Sequence, residues 1–248
     1  MTTRICIVVP VFRHAVSAAQ LAKRLRTFSL PSIFVDDGNE AEDAAVIARI
    51  SREHDFVTVI RRQTNGGKGA AVVTGLSAAA AAGYTHALQI DSDEQHDIAD
   101  IPRFIEAARA EPTALIAGAP RFDATAPWGR RIGRQLSRVC VWGETLSFDI
   151  DDPMCGYRVY PLASTLEAAK SGWLGRRMDF DIEILVRLHW LDVPFRSIPT
   201  VIVYPDGGTS NFQLFRDNWR ISAMHARLLL RMVMRLITGR LALRRGMA

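Results

Sequence analysis

The sequence predicts an α/β fold built on a mostly parallel sheet with helices on both faces. Three observations carry this reading. Short β-branched runs alternate with helical stretches through the first half of the chain. The runs are continuously apolar rather than alternating, as expected of strands buried on both faces. Several of them also end abruptly in polar residues, the pattern of an open sheet whose functional rim lies beyond the strand carboxyl ends.

The elements follow in order. Strands are expected at Ile5–Val9, Ile33–Val35, Val57–Ile60, Ala87–Ile90 and Leu115–Ala117. Between them Val16–Phe28, Glu40–His54, Gly69–Ala82 and Ile98–Ala110 are each long enough for about three helical turns. The second half is less regular. Trp128–Arg138 is rich in arginine and glycine, and Asp151-Asp152-Pro153 marks a turn. Helices are expected at Leu162–Lys170 and Phe180–Trp190, a strand at Phe195–Tyr204 and a long final helix from about Gln213. No stretch is rich enough in Pro, Gly or Ser to divide the chain.

Composition narrows the class. The chain has 248 residues, is 48% hydrophobic, and carries 31 basic against 26 acidic side chains. Such a chain supports a sizeable core and is neither disordered nor collagenous. Its three cysteines are far apart, which excludes a cysteine zinc site and points to a reducing, cytoplasmic compartment. The net charge of +5 suits phosphates or a membrane surface, without choosing between them. The run Ile5–Val9 is too short for a signal peptide. Gly69–Ile90 lacks Asp, Glu, Lys and Arg and has the length to span a bilayer. It is alanine-dominated and interrupted by Gly83-Tyr84, so it reads as a buried helix followed by a strand.

The chemistry concentrates in the polar strand ends. In Asp91-Ser92-Asp93 the carboxylates at i and i+2 of an extended segment point the same way and can address one divalent cation. Magnesium takes one or two protein carboxylates and completes its shell with water and substrate phosphates. Gln95 can add a carbonyl oxygen, and His96 reads equally as a site or a surface residue. A solvated acidic turn would look the same in isolation. Asp36-Asp37-Gly38 offers acceptors for a base N–H or a ribose hydroxyl, or simply caps the next helix. Asn65-Gly66-Gly67-Lys68-Gly69 permits close backbone approach and presents a lysine to a phosphate or ribose. It lacks the spacing and the Ser/Thr of a P-loop.

Taken together, these blocks resemble family 2 glycosyltransferases. The carriers are Val8-Val9-Pro10, Val35-Asp36-Asp37-Gly38, Asn65-Gly66-Gly67-Lys68-Gly69, Asp91-Ser92-Asp93-Glu94-Gln95-His96 and Asp152-Pro153-Met154-Cys155-Gly156-Tyr157, over roughly 5–210. The likeness is greatest to dolichyl- and polyprenyl-phosphate sugar transferases. It implies a GT-A fold, a UDP- or GDP-sugar donor, Mg2+ or Mn2+, and inversion at the anomeric carbon. It further implies a donor-binding half over about 1–118, an acceptor half over 119–210, and an appended helix over 211–248.

By match, Asp91, Asp93 and Gln95 form the metal shell. The donor meets Pro10 and Val11 at the first strand, Asp36, Asp37, Asn65, Lys68, Ser92, and the basic residues Arg121 and Arg131. The chain departs from the family at Arg13-His14, where Asn-Glu is common, and at Asp206, which stands near a usual arginine. Asp181 and Glu183 are the candidate catalytic bases. Their i, i+2 spacing on a helix sends them to different faces, so one alone should reach the site. An acceptor phosphate, already anionic, needs no base, whereas a lipid or small-molecule hydroxyl does.

The expected acceptor is a lipid or lipid phosphate, and nucleic acid is not an expected partner. On the final helix, Arg216, Arg220, Arg227, Arg231 and Arg235 share one face, with Leu229, Met232, Val233 and Leu236 opposite. Such a helix can lie on an anionic membrane surface, here the cytoplasmic leaflet. It can also pack on its own domain with the arginines in water. The competing classes are a nucleotidyltransferase, which would want a Gly-rich loop after the first strand, and an inactive membrane-surface scaffold.

Overall fold

The computed structural model describes residues 2–121, 128–202 and 213–239. Seven strands form a single sheet: β1 (Ile5–Val11), β2 (Ser32–Asp36), β3 (Val57–Arg61), β4 (His86–Gln89), β5 (Leu115–Arg121), β6 (Arg158–Pro161) and β7 (Phe195–Val201). Their order is β3-β2-β1-β4-β6-β5-β7. Pairing is parallel throughout except at β6, which runs antiparallel to both β4 and β5. The helices are α1 (Ala15–Leu25), α2 (Ala41–Glu53), α3 (Lys68–Ala81), α4 (Ile101–Ala110), α5 (Trp128–Thr145), α6 (Leu162–Lys170), α7 (Phe180–Trp190) and α8 (Leu214–Ile237).

The five first-half strands lie where the apolar runs place them. β1 explains why the pattern works: all seven residues are buried, and alternate side chains enter different cores. Cys6 and Val8 pack with Val72 and Leu76 of α3, whereas Ile5, Ile7, Val9 and Val11 pack with α1, α2 and α4. α3 sits close on β1 because Gly75 offers no side chain where Val8 Cγ1 approaches.

Three features depart from expectation. β6 is not foreseen, because Arg158-Val159-Tyr160-Pro161 is only four residues long and begins with a charge. The segment that reads as merely rich in Arg and Gly is the start of α5, which continues to Thr145. The predicted helix Val16–Phe28 ends at Leu25 and tightens into a 3-10 turn over Arg26–Phe28.

Of the two arrangements expected of the last helix, lying on a membrane or packing on its own domain with the arginines in water, α8 packs on the domain and draws some of those arginines into contacts. Asp217, Ile221, Met224, His225, Leu228 and Met232 are the buried residues of this helix. Arg227 and Arg235 flank that stripe and clamp the helix to its neighbours, whereas Arg216 is exposed and Arg220 pairs with Asp217 of the same helix. Arg227 donates to Glu183 at 2.6 Å and lies 4.2 Å over the Trp173 ring. Arg235 donates to the Trp190 carbonyl at 3.1 Å. His225 meets Glu144 of α5 at 2.6 Å. The stems and planar heads of these arginines pack as well as pair, which amphipathicity alone does not reveal. Among the described residues no helix is long and apolar enough to cross a membrane.

Candidate active site

The polar ends of β1, β2 and β4 meet on one rim, joined there by the start of β6. Antiparallel pairing of β4 and β6 sets Gln89 opposite Arg158. The turn that enters β6 is therefore brought beside the residues that leave β4. Asp152 builds this turn by accepting from the backbone N–H groups of Met154 and Cys155, each at 2.8 Å. Its other oxygen pairs with Arg134 of α5. Gly156 then passes so close that a methyl group there would stand 2.6 Å from Asp91 Oδ2 and 2.7 Å from Lys68 Nζ. This steric demand accounts for glycine in the D-P-M-C-G-Y segment.

Lys68, the first residue of α3, is the centre of the cluster. Its Nζ donates to Asp91 Oδ2 at 2.7 Å and meets Asp181 Oδ2 at 2.8 Å. Burial opposes its charge, but the Asp181 and Asp91 carboxylates outweigh that and hold the ammonium above the usual lysine range. Burial likewise works against the Asp91 carboxylate. Lys68, with His96 3.8 Å away, reverses the effect and holds Asp91 well below the usual range. Asp93 goes the other way: its burial and the nearby Asp91 charge both raise it. Its Oδ1 accepts from the Gln95 N–H at 3.2 Å, across Glu94 in the left-handed region at φ 60°. A non-glycine residue held there marks a locally constrained turn.

This donor set fits a divalent cation. Asp93 is destabilised by a like charge that a cation would reverse, and carboxylate and amide oxygens are the ligands that Mg2+ and Mn2+ take. No group of three His, Cys, Asp or Glu side chains arranged to hold a metal occurs among the described residues. A cation held at Asp91, Asp93 and Gln95 would thus draw its remaining ligands from donor phosphates and water.

The other predicted residues divide into those at the site and those that build it. Ser92 donates to the Pro10 carbonyl at 3.1 Å, tying the end of β1 to the Asp91–Asp93 segment. The Val11 carbonyl accepts from the Asp37 N–H and from Asn39 Nδ2. Asp36 and Asp37, expected to face the nucleoside, spend their oxygens within the protein. Asp36 Oδ1 accepts from Asn39 at 2.7 and 2.9 Å, and Oδ2 lies 3.5 Å from Arg61. Asp37 accepts from Arg62, Asn65, Gly66 and Gly67 at 2.8 to 3.1 Å. Its burial raises the carboxyl pKa against Gly66, Gly67 and Arg62. Asp37 therefore shapes the loop that delivers Lys68, and Asn65 is one of its supports. The side chains of Arg121 and Arg131 lie outside the described residues.

The pair on α7 separates cleanly. Asp181 faces Lys68, and its second oxygen is buried with no hydrogen-bond partner among the described residues. Glu183 is turned to the back of the helix. It accepts from Arg187 at 2.6 Å, Arg227 at 2.6 Å and the Gly175 N–H at 2.9 Å. A carboxylate so engaged is no base, and Glu183 is corrected from a catalytic candidate to a structural one.

Sequence reading also missed a buried support beneath the rim. Arg158 donates to the Asp181 carbonyl at 2.7 Å, the Pro153 carbonyl at 2.9 Å and the Tyr160 hydroxyl at 3.2 Å. Burial pushes Tyr160 up to about 12, so its hydroxyl remains a donor and reaches Gln89 Oε1 at 3.2 Å. Gln89 Nε2 donates to Asp91 Oδ1 at 3.2 Å. The available signal was an arginine and a glutamine within otherwise apolar strands, which burial makes costly unless they are paired.

A mostly parallel sheet with this rim is a GT-A glycosyltransferase fold. The structure is similar to glucosyl-3-phosphoglycerate synthase from Mycobacterium tuberculosis in complex with Mn2+ and UDP-glucose. The TM-score is 0.66 at 16% identity, covering 94% of this chain and 79% of that one. It is also similar to the mannosyltransferase PcManGT from Pyrobaculum calidifontis in complex with GDP-Man and Mn2+. There the TM-score is 0.57 at 15% identity, over 100% of this chain and 66% of that one. The glycosyl transferase family 2 profile matches residues 6–164, and the chain belongs to that family. A curated relative, the undecaprenyl-phosphate mannosyltransferase of Micrococcus luteus, is 25% identical over 220 residues, covering 84% of this chain and 86% of its own.

Proposed function

We propose that this glycosyltransferase moves a hexose, with inversion, from a UDP- or GDP-sugar to a lipid-phosphate acceptor of the polyprenyl type, at the cytoplasmic face of a membrane. In this reading residues 1–118 bind the donor and 119–210 the acceptor. Asp91, Asp93 and Gln95 hold Mg2+ or Mn2+, as the metals and nucleotide sugars bound by the structural neighbours suggest. When bound, the cation supplies charge stabilisation to the departing nucleoside diphosphate.

The chain's own residues do the rest. Asp37 and Asn65 hold the loop that positions Lys68. Lys68 keeps Asp91 ionised and brings a fixed positive charge to where the diphosphate leaves. Gly156 leaves that space open, and Arg158 fixes the start of α7.

One observation carries the preference for an anionic acceptor. Asp181, the α7 carboxylate that reaches the rim, is bound to the Lys68 ammonium at 2.8 Å. The ammonium fixed beside Asp181 offers a counter-charge to an anionic acceptor, so the arrangement suits an acceptor that arrives ionised. The mannosyltransferase relative named for undecaprenyl phosphate points the same way.

The test is thermal stabilisation by UDP-glucose and GDP-mannose with and without Mn2+, followed by transfer to polyprenyl phosphate or to the matching alcohol. Metal-dependent stabilisation and transfer to the phosphate are expected. Transfer to the alcohol alone, lost in Asp181→Asn, would replace this reading with one in which Asp181 is the base.

A further inference from the structure

We infer that the enzyme docks on an anionic lipid bilayer through the outward apolar face shared by α8 and α5. The inference rests on the reading that the acceptor is lipid-borne, and it identifies the surface that meets the lipid. That surface is not the arginine face the sequence suggested.

On α8, Phe215, Trp219, Leu230, Val233 and Ile237 fall within about 60° of one another at 100° per residue. They lie on the side away from the buried stripe. Phe215 is 87% exposed, Trp219 76% and Ile237 73%. α5 extends this face. Ile132, Leu136 and Val139 are exposed on one side of it, in line with Gly143, whose missing side chain would lie 3.5 Å from Leu229 of α8. Two neighbouring helices thus present a run of large apolar side chains, with aromatic residues at one end. A soluble surface rarely leaves such a patch uncovered.

Charge selects the occupant. From Asn218 to Ile237, α8 holds four arginines and no carboxylate. The one carboxylate of α8, Asp217, is buried. α5 holds four arginines and a single acid, Glu144, which is also buried. A second copy paired across this face by a twofold axis would set two arginine-rich segments against each other. Anionic headgroups would instead balance the positive charge that remains once Arg220 has met Asp217, Arg227 Glu183 and Arg134 Asp152. An apolar face bearing Trp, Phe and Leu and flanked by arginine is the composition of helices that lie in the interfacial plane.

The surface is also bonded to the site. Arg134 of α5 pairs with Asp152 in the turn that brings Gly156 to Asp91. Arg227 of α8 pairs with Glu183, two residues from Asp181. A bilayer seated on this face would have a fixed relation to the rim.

The experiment uses the whole chain and the Leu230→Glu/Val233→Glu variant, both positions being exposed. Flotation is measured with vesicles of equimolar phosphatidylcholine and phosphatidylglycerol, and with phosphatidylcholine alone. The wild type should float with the anionic vesicles, and the variant should lose about tenfold or more of that binding. Metal-dependent hydrolysis of UDP-glucose or GDP-mannose without vesicles should be unchanged in the variant. Wild-type protein that stays at the bottom of the gradient overturns the inference, as does a variant that floats equally well. A lipid-indifferent dimer dissolved by the same substitutions would make the face a contact between copies. Failure of the hydrolysis assay in the wild type would strike the transferase reading and leave the flotation result standing.

Discussion

Two buried charge clusters lie two residues apart on α7, and they are built on opposite principles. At the rim one ammonium, Lys68, serves the carboxylates of Asp91 and Asp181, with Asp93 close by and an oxygen of Asp181 left without a protein donor. At the back one carboxylate, Glu183, serves two guanidiniums and a backbone N–H. The rim is short of positive charge and the rear cluster is not. Buried charges persist only when compensated, so the deficit marks where a cationic partner is expected, whereas the closed cluster joins α7 to α8.

Substitutions on the two sides should therefore fail differently. Glu183→Gln leaves Arg187 and Arg227 facing a neutral amide, and a loss on the order of 3–5 kcal/mol of stability is expected from urea unfolding. Protein that remains folded should keep its donor affinity. Asp93→Asn should show the reverse, with transfer reduced about 10²- to 10³-fold and the melting temperature nearly unchanged. Wild-type turnover in Asp93→Asn would remove the catalytic half of the contrast.

Gly156→Ala sharpens the geometry, because the added methyl would meet Asp91 and Lys68. Activity should fall about 10- to 100-fold, with the loss seen in the apparent metal affinity. Tyr160→Phe removes one link between Arg158 and Gln89 and should cost less, about 1 kcal/mol of stability, with a small rise in the metal concentration needed for half-maximal turnover. An unchanged metal requirement would make Tyr160 a purely structural residue.

The pH response is the smallest effect and separates the clusters again. The folded Asp91 carboxyl lies below its unfolded range, so its contribution is present above the ordinary aspartate pKa and is lost as pH falls through the folded value. Acid titration of stability should therefore slope downward below about pH 4, and Lys68→Met should flatten that slope. Lys68 itself is raised, so its share persists through the neutral range and is lost only in strong alkali.

Much of this was legible along the chain, and unevenly. The five first-half strands and the rim segments Asp36-Asp37, Asn65–Lys68 and Asp91–Asp93 were readable because each is a local pattern. An apolar run followed by a polar break needs no distant partner to be recognised. The roles of Asp37 and Glu183 were not readable in this way. Both are acids beside a helix start, and their partners, 25 to 30 residues away for Asp37 and 44 for the Arg227 partner of Glu183, become visible only in the fold. β6 escaped for the same reason: four residues starting with arginine become a strand because β4 and β5 flank them.

The amino-acid sequence alone determined the class of fold, the position of the aspartate pair Asp91 and Asp93 at the strand end, and the amphipathic character of the last helix. These follow from periodicity and from chemistry carried by neighbouring residues. The tertiary structure decided which of two near-identical carboxylates meets Lys68, which arginines are clamps, and which side of α8 is left outward. Those outcomes depend on what each side chain finds across the fold, and pairing between distant segments is not encoded in the spacing of either one.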